Sequence, residues 1–212
     1  MHLWTIYEPT RWKTVMLFLN NLISSHQLYF KLASIMADAV VFLFPVVLLA
    51  LYLYGYRYRL DIYKTGSIKI FLWVVVAIVV TILIQQFVRK DRPETLPGLQ
   101  LILSHVPTMS FPSDHATVGF AMGVWLLLLW YDIKKYLDNK TIYALGIMLI
   151  ILVTLMSISR VAVGIHWFTD IFVWAVIGII WAHTTHKIWL IKKISVRISV
   201  MIDRMLSVIW KL

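Results

Sequence analysis

The chain has no cysteine, which excludes disulfides and thiolate chemistry. Acidic residues are scarce, 10 Asp and Glu against 20 Lys and Arg in 212 residues. No acidic cluster offers a divalent cation its oxygen ligands, so no metal and no other cofactor is expected. Internal repeats and low-complexity linkers are also missing. The start, MHLWTIYEPTRWK, lacks a basic region followed by an apolar core, so no cleavable signal is expected. What the chain has in excess is apolar surface. Hydrophobic residues make up 61% and mean hydropathy is +0.82, against roughly 45–50% apolar residues in a soluble domain. The composition implies a single integral-membrane domain over 1–212. The net charge is +10. Nucleic-acid binders gather such charge on a soluble face; here the cations sit between apolar runs and read as topology, so membrane lipids rather than nucleic acid are the expected partners.

Five segments are long and apolar enough to span a bilayer: 37–54, 70–88, 117–131, 141–158 and 168–189. A span takes about 20 residues, and 117–131 qualifies if its helix begins near Ser113. The stretch 12–32 holds Asn20, Asn21, Ser24, Ser25, His26 and Gln27, too polar for a lipid-facing span. It reads as an interfacial helix plus a turn, with a sixth span as the alternative. The tail 190–212 sets Lys192, Lys193, Arg197, Arg204 and Lys211 among Ile, Val, Met and Leu, the pattern of a basic amphipathic helix on an anionic leaflet. The fold class expected is therefore all-α, a polytopic transmembrane bundle. Lys and Arg concentrate in 55–69, 132–140 and from Lys187 onward, which makes that face, with the C-terminus, cytoplasmic. Tyr52, Tyr54, Tyr56 and Tyr58 fit an aromatic belt at the same boundary. Pro45 is expected to kink the first span. The longest irregular segment, 89–112, contains Pro93, Pro97, Pro107 and Pro112. Loops of that length are usually functional or disordered.

Three polar clusters then fall on the opposite, outer face: Arg89-Lys90-Asp91-Arg92-Pro93, Phe111-Pro112-Ser113-Asp114-His115, and a stretch from Ser159 and Arg160 to His166 and Asp170. Ionisable groups are costly in a membrane, so such gatherings mark a site. His166 and Asp170 are four residues apart and share a helix face. An Asp that accepts a hydrogen bond from one imidazole nitrogen fixes the tautomer and stabilises charge as the other nitrogen attacks; capping of a helix start is the alternative. Pro112-Ser113 opens a helix, whose free N–H groups form an anion site. His115 stands where it could protonate a leaving oxygen. Arg92 and Arg160 supply planar, permanent cations suited to phosphate.

Together these clusters resemble the signature of the type 2 phosphatidic acid phosphatase superfamily: Lys-x6-Arg-Pro, Pro-Ser-Gly-His, and Ser-Arg-x5-His-x3-Asp. The third motif matches at Ser159, Arg160, His166 and Asp170. The second matches as Pro112-Ser113-Asp114-His115, with Asp in place of Gly. The first matches only at Arg92-Pro93, its Lys position falling on Gln85, with Lys90 as the candidate stand-in. The resemblance covers about 80–190. It implies His166 as nucleophile through a phosphohistidine, Asp170 as its orienting partner and His115 as general acid and base. Arg92, Ser113, Arg160, Asp114 and Lys90 form the implied phosphate-binding set, without metal. The form Phe-Pro-Ser-Asp-His-Ala-Thr looks most like the bacterial undecaprenyl-diphosphate phosphatases of the superfamily. These recycle the cell-wall lipid carrier and give bacitracin resistance, so a polyprenyl diphosphate substrate and the bacterial plasma membrane are implied. Phosphatidic acid, phosphatidylglycerol phosphate or lipid A as substrate, and a non-catalytic lipid-binding or transport bundle, are the alternatives. A vanadate-dependent haloperoxidase shares the motif type but is soluble.

Other features carry plainer readings. His183 and His186 make an incomplete pair for a metal. Gly119 and Gly123 permit close helix packing. Asp38, at the outer end of the first span, is either part of the site or simply hydrated.

Overall fold

The computed structural model describes residues 4–5, 7–100, 109–136 and 140–209. Pro107 of the long loop and Lys211 of the tail lie outside the described residues. A two-residue strand β1 (Trp4–Thr5) precedes α1 (Thr10–Ser24), α2 (Gln27–Ala39), α3 (Leu43–Arg57) and α4 (Asp61–Phe87). Strand β2 (Val88–Arg89) follows, then α5 (Asp114–Ile133), α6 (Thr141–Ala162), α7 (Phe168–Thr185) and α8 (Trp189–Ile209). The protein is a multi-pass helical membrane bundle. Among the described residues, five helical stretches are long and apolar enough to cross a membrane: Gln27–Arg57, Asp61–Phe87, Asp114–Ile133, Thr141–Ala162 and Phe168–Thr185.

The first of these starts ten residues earlier than the 37–54 expected from the sequence. The turn at Ser25–His26 ends α1, and α2 then runs on through a 3₁₀ turn, Val40–Phe42, into α3. Leu28, Leu32 and Ile35 present exposed apolar side chains along α2, which makes it part of the span. The 3₁₀ turn falls where Pro45 requires it. A proline ring clashes with the carbonyl four residues back, here Val41, and the tighter 3₁₀ geometry moves that carbonyl aside.

The polar middle of α1 has a structural use. Asn20 is fully buried. Its amide donates to the carbonyls of Gln100 and Ala162, each at 2.9 Å, and its oxygen accepts from Gln100 N at 2.8 Å. One side chain thus pins α1, the long loop and the end of α6 together.

Helix α5 is the centre of the bundle. Two-thirds of its apolar window is buried (67%), against 33% for α4, α6 and α7. Small residues allow this. A Cβ on Gly123 would lie 2.5 Å from Ile150 Cγ1, one on Gly119 2.7 Å from Val153, and one on Gly178 2.6 Å from the Thr117 carbonyl. The glycines of α5 therefore serve close contact with α6, while Gly178 admits α5 to α7. Large apolar side chains such as Val79, Ile82, Ile151, Phe172 and Ile180 remain exposed on the outer helices, as a lipid-facing surface requires.

Helix α8 packs on α4 through a buried polar anchor. Asp203 accepts from Tyr52 Oη at 2.8 Å and pairs with Lys64 Nζ, which also meets Asp61 at 2.8 Å. Because α4 leads out of this end and α5 and α7 finish there, all the motif clusters lie at the opposite end.

Candidate active site

The site forms where α6 ends, α7 begins and α5 begins. Arg160 occupies the last turn of α6. Gly164 then takes φ +86, and the amides of Ile165 and His166 both return to the Arg160 carbonyl at 3.2 and 3.3 Å. A side chain at 164 would be strained in that conformation and would meet Leu99 at 2.9 Å. The tight reversal lays His166 against Arg160, whose Nη2 lies 3.4 Å from His166 Nε2.

Asp170 sits at the third position of α7 and accepts from the Trp167 amide at 3.0 Å, as an acidic residue does in a capping box. The capping and the orienting readings are therefore both met by one carboxylate. Its Oδ2 lies 3.6 Å from His166 Nδ1, longer than a hydrogen bond but with the ring correctly aimed. Ser110 Oγ also donates to Oδ2. Burial pulls the His166 imidazole down from an ordinary value near 6.5 to about 4, with the Asp170 contact opposing. His166 is thus neutral at physiological pH and carries a free nitrogen lone pair.

The cations gather around it. Arg92 Nη1 donates to the Ile165 carbonyl at 2.6 Å, tying the long loop to the α6–α7 reversal. Burial lowers the Arg92 pKa, with Asp114, Asp170 and Glu94 opposing in that order; an arginine remains charged regardless. Arg160 Nη1 donates to Asp38 at 2.7 Å and to the Ala37 carbonyl at 2.8 Å. Asp38 therefore belongs to the site as the partner that aims Arg160. Ser113 is the N-cap of α5, fully buried. His115, on the first turn of α5, lies within electrostatic reach of Arg160, Asp114, His166 and Asp38. Ser113 Oγ, Arg160 Nε and His166 Nδ1 are buried with no hydrogen-bond partner among the described residues. Such atoms cost about 1–3 kcal/mol each when left so, and an incoming tetrahedral oxyanion would satisfy the two donors.

Two expected phosphate ligands stand differently. Lys90 is 2% exposed, and its ammonium bonds Asp170 Oδ1 at 2.6 Å, Thr169 Oγ1 at 2.6 Å and Glu8 Oε2 at 2.9 Å. Its three protons are committed, so it supports Asp170 from behind instead of reaching a phosphate. The parallel pairing of β1 with β2, Thr5 opposite Arg89, brings Glu8 to this place. Asp114 is an anion beside Arg92, Arg160 and His115, where it offsets cationic charge and would repel a phosphate. Gln85, at the missing lysine position, donates weakly to the Pro112 carbonyl at 3.4 Å and adds no charge. His186 faces Asp132 at 3.2 Å, at the other end of the bundle.

Sequence reasoning missed Glu8, Ser110 and Thr169. Ser110 and Thr169 adjoin motif residues, and that adjacency was the available signal. Glu8 lies far away in sequence with no motif around it.

The PAP2 superfamily matches residues 66–193, more than half of the chain, and the chain belongs to that family. It is 27% identical over 159 residues, 75% of this chain and 73% of the relative, to YbjG of Escherichia coli (strain K12), provisionally named an undecaprenyl-diphosphatase. Its fold is similar to the crystal structure of Aquifex aeolicus LpxE, with TM-score 0.59, 21% identity, and coverage of 87% of this chain and 99% of that one. It is also similar to a transmembrane PAP2-type phosphatidylglycerolphosphate phosphatase from Bacillus subtilis, with TM-score 0.63, 17% identity, and coverage of 84% and 86%. The protein is a PAP2-type membrane lipid phosphatase.

Proposed function

We propose that the protein hydrolyses undecaprenyl diphosphate to undecaprenyl phosphate through a phosphohistidine on His166, recycling the cell-wall lipid carrier. The observation that carries the catalytic reading is the buried His166–Asp170 pair set among Arg92, Arg160 and the unpartnered Ser113 hydroxyl at a helix start. His166 Nε2 attacks the terminal phosphorus, and the bond to the bridging oxygen breaks. His115 takes up a proton once the anionic substrate lies beside it and gives that proton to the bridging oxygen. Asp170 holds the proton on His166 Nδ1 and stabilises the developing positive charge. Arg160 Nη2, close to Nε2 in the free enzyme, transfers its hydrogen bond to a phosphoryl oxygen as substrate enters. Water then attacks phosphorus, His115 takes its proton, the P–N bond breaks and inorganic phosphate leaves.

The carrier substrate is favoured by the Ser113-Asp114-His115 form of the second motif and by the YbjG relationship. The concentration of Lys and Arg at the opposite end favours a site on the outer face of the bacterial plasma membrane, with the C-terminus cytoplasmic. Phosphatidylglycerol phosphate is the second reading, favoured by the Bacillus subtilis fold relative. Phosphate release by purified protein on undecaprenyl diphosphate, phosphatidylglycerol phosphate and phosphatidic acid decides between them. A kcat/KM on the diphosphate no higher than on the others would refute the carrier assignment.

A further inference from the structure

About 30 Å from the candidate active site, the length of the 20-residue α5, the bundle contains a cavity of about 340 Å³. It opens between α4, α5 and the α7–α8 connection. Three lysines from two parts of the chain line it: Lys69, Lys187 and Lys192. The one carboxylate there among the described residues, Asp132, contacts His186 at 3.2 Å and lies within electrostatic reach of Lys69, so it offsets at most one of the three charges. Lys69 is held in place from two sides. Its Nζ donates to the His186 carbonyl at 2.5 Å and lies 4.8 Å from the Trp125 ring centroid. That leaves ammonium protons for a further acceptor. Ile62, Ile70, Leu129 and Ile188 complete the lining with apolar surface.

Like charges brought to one cavity repel unless an anion joins them. Topology explains cations at this end but not their convergence on one cavity, and the phosphatase reaction does not use them: the reacting groups are at the other end, and Lys64 and Asp203 already anchor α8. A cationic cavity with an apolar wall, between helices near the end of a bundle, suits an anionic amphiphile. We propose that this cavity binds a phosphate group, carried by the headgroup of an anionic phospholipid whose acyl chains leave along the apolar wall. The bound headgroup would bridge α4 to the start of α8 and fix the connection between α7 and α8.

Native mass spectrometry of the detergent-purified full chain with phosphatidylglycerol, phosphatidylcholine or inorganic phosphate tests this. The wild type should retain one phosphatidylglycerol more tightly than phosphatidylcholine. Lys69→Gln with Lys192→Gln should weaken that binding by about tenfold or more. Lys193→Gln with Arg197→Gln removes the same charge from α8 outside the cavity and should leave it intact, as should Lys69→Arg. Competition by inorganic phosphate, absent in the lining variant, would identify the phosphate group alone as what is recognised; no competition assigns the whole lipid. Equal retention of phosphatidylcholine, or equal loss in both double variants, overturns the proposal, because binding would then be diffuse surface attraction. If Lys69→Gln lowers the thermal unfolding midpoint, Lys192→Gln alone, at an exposed position, carries the same comparison.

Discussion

His166 is buried, neutral and beside a carboxylate that already holds three other donors. Asp170 takes hydrogen bonds from Lys90, Ser110 and the Trp167 amide. A carboxylate so occupied is fixed in place before substrate arrives, which is the condition for orienting an imidazole. His166→Ala is expected to lower phosphate release by a factor on the order of 10³–10⁶ while the protein still folds; wild-type turnover in that variant would end the mechanism. The same residue makes stability depend on pH. With its pKa pulled from near 6.5 to about 4 by burial, the unfolded chain binds more protons at His166 than the folded one between those values. Stability therefore rises with pH across that window and is lost as pH falls through it. Thermal unfolding at pH 7 and pH 5 should show the drop, and His166→Ala should reduce it. Lys90→Ala gives a different test. It leaves Glu8 and Asp170 buried without their cation, a change that costs about 3–5 kcal/mol when a buried pair is broken. Because Lys90 acts through Asp170, its loss should depress kcat on monophosphate and diphosphate substrates alike, with little change in KM. A selective loss on diphosphates would return Lys90 to the phosphate.

At the scale of elements, glycine sets how closely the helices approach. Gly123 faces Ile150 across the α5–α6 contact, with room for hydrogen only. Gly123→Val should wedge the two helices apart and destabilise by about 1–3 kcal/mol, as overpacking does. The thermal midpoint in detergent measures it, and an unchanged value would mean that α6 is not held against α5 as described. The α1–α2 hairpin matters through Asn20 and Asp38. The first ties the long loop to α6, and the second aims Arg160. Neither helix carries a motif, yet both complete the site from one side. β1 does the same from the other, by delivering Glu8.

For the whole molecule, the proposed direction across the membrane rests on charge placement, and the absence of native cysteine makes it measurable. A single Glu94→Cys, beside the candidate site, should react in intact cells with an impermeant maleimide. Tyr136→Cys, 81% exposed at the other end, should react only after permeabilisation. The reverse pattern would place the site on the cytoplasmic face. Charge neutralisation by arginines and a helix start also bears on metal dependence. Of the carboxylates around the site, Asp170 and Glu8 are bonded to Lys90, Asp38 is bonded to Arg160, and Asp114 stands among the arginines, so activity should persist in excess chelator. Loss restored by magnesium would refute that.

The helical bundle, four of its five spans and the three motif clusters were legible in the sequence. Hydropathy and the i, i+4 spacing of His166 and Asp170 are local properties that survive any packing. The family resemblance supplied roles for the motif residues on the same local basis. The start of the first span was misplaced because the turn at Ser25–His26 and the 3₁₀ break near Pro45 divide one stretch into pieces that composition averages over. The place of Lys90 could not be read at all. Nothing local distinguishes a lysine that meets a phosphate from one that turns inward to a carboxylate. That choice was made by the pairing of Thr5 with Arg89, which brings Glu8 across 82 residues of chain to a cation otherwise free to face the substrate.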